Sequence, residues 1–311
     1  MLKSRECLFK KVRCLSSRKK EVPTKEKVRV IDELRHEFPL QILLHVSEVK
    51  KATYYYHKKN LEKADKYAMI KEAIERIFYQ HKELYGYRRI VLALRKEGFF
   101  INHKTVRRLM NDLGLHGVQK AKKYRSYRGE VGQIANNKIN RHFETEKPNQ
   151  VWLTDVTEFK VAGNKLYLSA FLDVFNREIV GYSITQNPNF GLIQDSFGNA
   201  IKRANLSLQD QVLIHSDQGW LYQIPRFQQL IKPYNMSQSM SRKGNCLDNA
   251  LMEGFFGILK NECIYRNSFR SLEEATQEIE TYIEYYNTLR IKQKLNGMSP
   301  IEYRLNYEKA A

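Results

Sequence analysis

Cysteine, proline and glycine are all scarce, at 4, 7 and 15 of 311 residues. The cysteines (Cys7, Cys14, Cys246, Cys263) form no C-x-x-C pair. That spacing excludes a zinc knuckle and a disulfide framework. Sparse proline and glycine, with 42% hydrophobic residues, exclude a low-complexity chain and predict folded domains. No apolar run approaches the roughly 18 residues of a membrane-crossing helix. The opening MLKSRECLFKKVRCLSSRKK is basic but has no apolar stretch of the signal-peptide kind. The expected location is the cytoplasm, with no membrane partner. The eight histidines do not fall at metal-ligand spacing and are read as surface or core residues. No heptad repeat is visible either.

What the chain has in excess is positive charge, and only in its first half. Residues 1–148 hold 36 Lys and Arg against 17 Asp and Glu, whereas residues 149–311 hold 17 against 17. The whole net charge of +19 therefore lies in the first half. Such asymmetry points to a polyanion, bound with release of counterions from its phosphates.

Residues 1–25 show no apolar period and read as a basic, mobile arm. Residues 26–60 carry Val28, Ile31, Leu34 and Phe38 at helical spacing, then two short helical stretches broken near Ser47. That is the size of a helix-turn-helix. A second unit, 61–118, is clearer. Ile70, Ile74, Ile77 and Phe78 form one stripe, YGYRRIVLALRKEG stops at Gly98, and Asn102 is placed to cap HKTVRRLMNDLG. Lys104, Arg107 and Arg108 share the outer face of that last helix, which suits a major groove. Residues 119–148 are a polar basic linker. Its Tyr124 and Tyr127, set among Lys122, Lys123, Arg125 and Arg128, suit stacking on bases as well as a plain connection.

From residue 149 to 311 the texture changes. VWLTDVTEFKV, KLYLSAFLDVF and REIVGYSIT read as three antiparallel strands, with turns at Gly163-Asn164 and Asn176. A helix over 190–204, a strand over 212–217, a short helix over 224–231, a strand over 235–240 and two closing helices follow. This order predicts an α/β fold of the RNase H-like kind: a mixed five-stranded sheet with flanking helices, preceded by helical DNA-binding domains.

Three acids stand where that order brings strand ends and a helix together. Asp155 lies in the first strand and Asp217 just after the fourth. Glu253 is on the helix after SRKGNCLDNA, with 35 residues between it and Asp217. Three such ligands can hold two hard cations, Mg2+ or Mn2+, about 3.5–4 Å apart. One ion would sharpen the attacking oxygen and the other would stabilise the leaving oxygen of a phosphodiester. Clustered carboxylates repel, so the site is expected to be costly before metal arrives. Lys260 lies two helical turns after Glu253 on the same face. Arg242, Lys243 and Gly244 suit a loop that closes on phosphate. Asn249, one turn before Glu253, either orients substrate or caps the helix. Trp152 and His215 read as structural.

The motifs W-x-T-D-V-T (Trp152 to Thr157), H-S-D-Q-G (His215 to Gly219), the run from Ser241 to Lys260, and Y-N-x-x-R…L-x-G-x-S-P-x-E-Y (Tyr286 to Tyr303) resemble the OrfB-type transposases of bacterial insertion sequences. The core of those enzymes is similar to that of retroviral integrase. The resemblance covers about residues 66–305. It implies that Asp155, Asp217 and Glu253 are a D-D-E triad binding divalent metal, and that Lys260 contacts the DNA end. It further implies terminal inverted repeats and target DNA as partners, and a homo-oligomer on DNA. An upstream frameshift-fusion product is a further partner in many such elements. Trp220-Leu221, Gly254 and Lys292 depart from the family pattern.

The expected activity is phosphodiester hydrolysis followed by attack of the freed 3′-OH on another strand. A tyrosine or serine recombinase needs a nucleophile amid clustered arginines, a setting these tyrosines lack. A non-catalytic DNA-binding regulator fits the basic half equally but has no need of three converging acids. An RNase H-like nuclease would cut without joining.

Overall fold

The computed structural model describes residues 23–61, 65–118, 135, 145–206, 210–241 and 249–310. The arm expected over 1–25 and the linker over 119–148 fall mostly outside them, as do Arg242, Lys243 and Gly244. The chain divides into two compact units, Met1–Glu72 and Ala73–Ala311.

In the first unit, α1 (Thr24–Leu34), α2 (Leu40–Ser47) and α3 (Lys51–Leu61) surround Val28, Ile31, Leu34, Leu43 and Tyr54. The break expected near Ser47 falls at Glu48, whose φ of 58° ends α2. Asp32 joins α1 to α3, accepting from the Tyr54 hydroxyl at 2.6 Å and Lys58 Nζ at 2.9 Å. The Tyr54 bond, ahead of Lys58, holds the Asp32 carboxyl below its ordinary pKa.

The boundary between the units falls inside α4 (Ala68–Gln80). The second unit continues with α5 (Tyr87–Lys96) and α6 (His103–Asp112), which pack on one another. Asn102 caps α6, its Oδ1 accepting from the Lys104 amide at 2.8 Å.

The sheet comprises β1 (Val151–Val161), β2 (Asn164–Asp173), β3 (Ile179–Thr185), β4 (Leu213–Ser216) and β5 (Ser237–Met240), in the order β3-β2-β1-β4-β5. β1 to β3 form an antiparallel meander, while β4 pairs parallel with β1 and β5 parallel with β4. At the second turn Arg177, not Asn176, takes the left-handed conformation, with φ of 65°. Asn176 instead spends its carboxamide on Glu178 and on the Pro300 carbonyl.

Alternation sorts β1 by face. Trp152 joins Phe171, Ile214 and Met240 in a core shared with α7 (Phe190–Ala204), α8 (Trp220–Gln223) and α9 (Pro225–Ile231). Gly181 lets α7 approach: a Cβ there would stand 2.4 Å from the Ser196 oxygen and the Ala200 nitrogen. α10 (Ala250–Glu262) packs against β1, and α11 (Leu272–Thr288) packs against β3 and α12 (Pro300–Ala310).

Helix α12 is a third closing helix where the sequence predicts two. Its start is a reciprocal capping box: Ser299 Oγ accepts from the Glu302 amide at 3.3 Å, and Glu302 Oε2 accepts from the Ser299 amide at 3.1 Å.

Candidate active site

Asp155 sits mid-strand in β1, opposite Ala170 of β2. It shares its pleat face with Leu153, Thr157 and Phe159, and Lys260 of α10 lies 5.5 Å over the Phe159 ring. Asp217 follows the last residue of β4, whose parallel register sets Thr154 beside Ser216. The two strand segments thus deliver their aspartates side by side. Glu253 lies in the first turn of α10, on the side bound for Lys260.

The two aspartates are each held by a backbone amide. Asp155 Oδ1 accepts from the Val156 amide at 2.7 Å, and Asp217 Oδ1 from the Gly219 amide at 2.8 Å. Gly219 is needed for the second bond, since a Cβ there would lie 2.8 Å from Asp217 Oδ1. Gln218 donates to the Ser241 carbonyl at 3.0 Å and so fixes the start of the segment leading to α10.

The carboxyls feel one another. Burial drives the Asp155 pKa well above the ordinary value, and the Asp217 and Glu253 charges add to it. Burial likewise raises Asp217, against the pull of the Gly219 amide. Glu253 is raised by burial and then by Asp217. The cation whose charge opposes the rise at Asp155 is Lys260, itself lowered by burial and drawn back up by Asp155 and Glu158. Three hard oxygen donors with so little local positive charge suit a divalent cation in chemistry and charge. They do not yet form a cage. Among the described residues no group of three or more His, Cys, Asp or Glu is arranged to hold a metal ion.

The surrounding residues take definite roles. Asn249 stands at the N-cap position of α10 without capping it. Its Oδ1 and Nδ2 are both buried, and neither has a partner among the described residues. Trp152 is core, its Nε1 donating to Asn149 at 3.1 Å. His215 is buried, with Nδ1 2.9 Å from Ser239 Oγ. Leu221, one of the departures from the family pattern, lies in the core, while Trp220 is 60% exposed. Lys104, Arg107 and Arg108 are exposed along α6, with Arg107 5.7 Å over the Tyr87 ring.

The late motif forms staples. The Asn287 carboxamide accepts from the Ile179 amide at 2.9 Å and donates to its carbonyl at 3.0 Å, closing part of the sheet edge. Tyr286 donates to the Arg177 carbonyl at 3.1 Å. Arg290 grips Glu262 with two bonds of 2.5 and 2.7 Å. Lys292 lies 4.3 Å over the Tyr286 ring and bonds its hydroxyl. Burial, then Arg290 and Arg177, drive its pKa well down. In sequence these residues carry only the signal of a motif; their partners lie far off along the chain.

Residues 145–246 and 253–306 match the family described as Integrase core domain, and residues 65–123 match an HTH-like domain. The transposase InsK for insertion sequence element IS150 of Escherichia coli is 48% identical over 277 residues, which are 89% of this chain and 97% of that relative. The chain belongs to the insertion-sequence transposases with an integrase core. The transposase for IS904 of Lactococcus lactis is 38% identical, over 76% of this chain and 93% of its own length. Among solved structures, the HTLV-2 integrase catalytic core domain in complex with magnesium aligns with 51% of this chain and 97% of its own, at 21% identity and a TM-score of 0.42. The transposase is thus a DDE-type polynucleotidyl transferase with an RNase H-like core and an HTH-like domain. Among the described residues no helix is long and apolar enough to cross a membrane.

Proposed function

We propose that this transposase binds the terminal inverted repeats of its element and uses Asp155, Asp217 and Glu253 to cut there and join the freed 3′-OH to target DNA. The observation that carries the proposal is the parallel register that sets Asp155 of β1 beside the end of β4, where Asp217 follows, with α10, which bears Glu253 and Lys260, packed against β1. The two aspartates and Glu253 would hold a pair of divalent cations, Mg2+ or Mn2+. Bound, the ions supply activation of the attacking oxygen and charge neutralisation at the phosphate. The chain's own groups do the rest. The Gly219 amide orients Asp217, the Val156 amide orients Asp155, and Lys260 offers its ammonium to a DNA phosphate.

The exposed row Lys104, Arg107 and Arg108 reads the repeat from the helical unit, with Arg242 and Lys243 as further contacts on the strand being cut. The enzyme works as a homo-oligomer that pairs two ends, with an upstream frameshift-fusion product as a further partner, in the cytoplasm on nucleoid DNA. The test is a cleavage and strand-transfer gel with Mg2+ and cognate ends. Asp217→Asn and Glu253→Gln should each abolish both products while leaving end binding in EDTA unchanged. Joining by either variant would move the chemistry to other residues, and a parent that binds ends without cutting or joining would be a non-catalytic DNA-binding regulator. Cutting without joining by the parent would make it a nuclease.

A further inference from the structure

Tyr222 is buried in the core beneath the site, 2% exposed, its ring edge-on to Phe227 at 5.3 Å. A phenylalanine would fill that space as well. The hydroxyl adds a polar atom to an apolar cluster, which is unfavourable unless it is bonded. It is bonded to Thr154 Oγ1 at 3.2 Å, and beside it Ser169 Oγ stands 2.8 Å from Ser196 Oγ. Thr154, Ser169 and Ser196 have no exposed surface.

The position of this phenol is what distinguishes it from an ordinary satisfied core tyrosine. Thr154 is the residue before Asp155 on β1. Its side chain points to the core face and that of Asp155 to the opposite one. The other end of Tyr222 belongs to the Asp217 segment. Its amide donates to the Gly219 carbonyl at 3.0 Å. Its ring lies 3.4 Å from where a Cβ on Gly219 would stand. Gly219 in turn donates to Asp217. Gln238 of β5 donates to the Tyr222 carbonyl at 2.7 Å, so the residue is anchored from a third strand. One side chain therefore ties the strand that carries Asp155 to the turn that carries Asp217.

We propose that Tyr222 is a positioning residue: its hydroxyl fixes the separation of Asp155 and Asp217, and thereby sets how tightly the pair takes a divalent cation. The proposal rests on the reading of these two aspartates as metal ligands. Groups that orient ligands from behind typically govern metal affinity by about 10- to 100-fold when removed.

The experiment uses the full chain and Mn2+ alone as probe. Half-saturating Mn2+ is read from metal-induced thermal shift and, separately, from end cleavage. Tyr222→Phe should raise both half-points about tenfold or more. End binding in EDTA should be unaltered, and cleavage should return toward the parent rate at saturating Mn2+. Thr154→Val removes the other half of the bond and should move the half-point the same way; it serves if Tyr222→Phe does not fold. A merely structural hydroxyl would lower melting temperature and leave both half-points in place, and that result overturns the proposal. Asp217→Asn separates the two assumptions. If it titrates like the parent, the ligand reading fails. If it loses the Mn2+ response while both hydroxyl variants titrate like the parent, Tyr222 alone is refuted.

Discussion

Asp155→Asn should stabilise the metal-free protein while abolishing its response to metal. The carboxyl of Asp155 is pushed up by burial and by the Asp217 and Glu253 charges. A carboxyl with a raised folded pKa costs stability as pH rises from its unfolded value, near 3.9, through the folded one, because the unfolded chain gives up its proton first. Above the folded pKa that penalty is fully developed. Asparagine keeps the shape and one acceptor for the Val156 amide and removes the charge. Relief of a buried, poorly compensated polar group is worth about 1–3 kcal/mol. At about 2–4 °C for each kcal/mol in a unit of this size, a gain of about 2 kcal/mol is roughly 4–8 °C. For the parent, Mg2+ at about a hundred times its Kd should add roughly 2.7 kcal/mol, or about 5–10 °C; for the variant it should add little. Thermal melts with EDTA or with Mg2+, at about pH 7.5 and again at about pH 4, where an unperturbed aspartate titrates, give four comparisons. The variant's metal-free advantage should shrink at the lower pH. A variant that melts lower than the parent at neutral pH without metal, or that keeps the full Mg2+ increment, refutes the argument.

Glu262→Gln should destabilise the second unit by about 3–5 kcal/mol, because Arg290 would be left buried without a counter-charge. Burial works to raise the Glu262 carboxyl, but the bonds and charge of Arg290, with Arg89, hold it below its ordinary pKa. The stability it contributes is thus present above about pH 4.3 and lost as pH falls through the folded pKa; the glutamine variant should show a flatter acid melt profile. Replacing Lys104, Arg107 and Arg108 together by alanine should weaken end binding across sequences. It should also flatten the plot of log affinity against log salt by about 0.9 for each phosphate no longer neutralised. An unchanged slope would place the DNA on another face.

The sheet and its acids are legible in the sequence because short-range signals agree with the tertiary outcome. β1 to β3 are rich in β-branched and aromatic residues and their connections are short; Asp155 lies within the first strand and Asp217 directly follows the fourth, and the order β3-β2-β1-β4-β5 sets those two strands side by side. Asn102 announces α6 because the cap is local. Helix α12 escapes a sequence reading for a physical reason. Ile301, Tyr303, Leu305 and Tyr307 recur at every second position, a strand period, and the true signal is the box formed by Ser299 and Glu302 around Pro300. For Asn249 the sequence fits a cap and a substrate role equally; the structure removes the cap. The role of Tyr222 is invisible in the sequence, since its hydroxyl's partner lies on β1, 68 residues back along the chain.

The far end of α10 shows why the late motif belongs to the same machine as the acids. Glu253 opens this helix and Glu262 closes it. Glu262 takes bonds from Arg290 and from the Tyr282 hydroxyl at 2.8 Å, and an ion-pair contact from Arg89 of α5 at 3.5 Å. Beside it the Tyr85 hydroxyl donates to the Leu289 carbonyl at 3.3 Å and accepts from the Ile291 amide at 2.8 Å. The helical pair α5–α6 is therefore fastened to the same point that anchors the helix bearing Glu253. A buried ion pair of this kind adds little net stability over an apolar substitute, yet breaking it is severe. Its value here lies in geometry: it fixes the axis of α10 relative to the exposed row on α6. Sequence reading treats the helical unit and the core as successive domains, and chain order alone cannot tell that the first supplies a clamp for the second. The residues that do so, Tyr85 and Arg89, sit in a helical pattern whose neighbours Arg88 and Arg95 look equally fit for DNA. The contact with Glu262 and partial burial set Arg89 apart from the exposed Arg88.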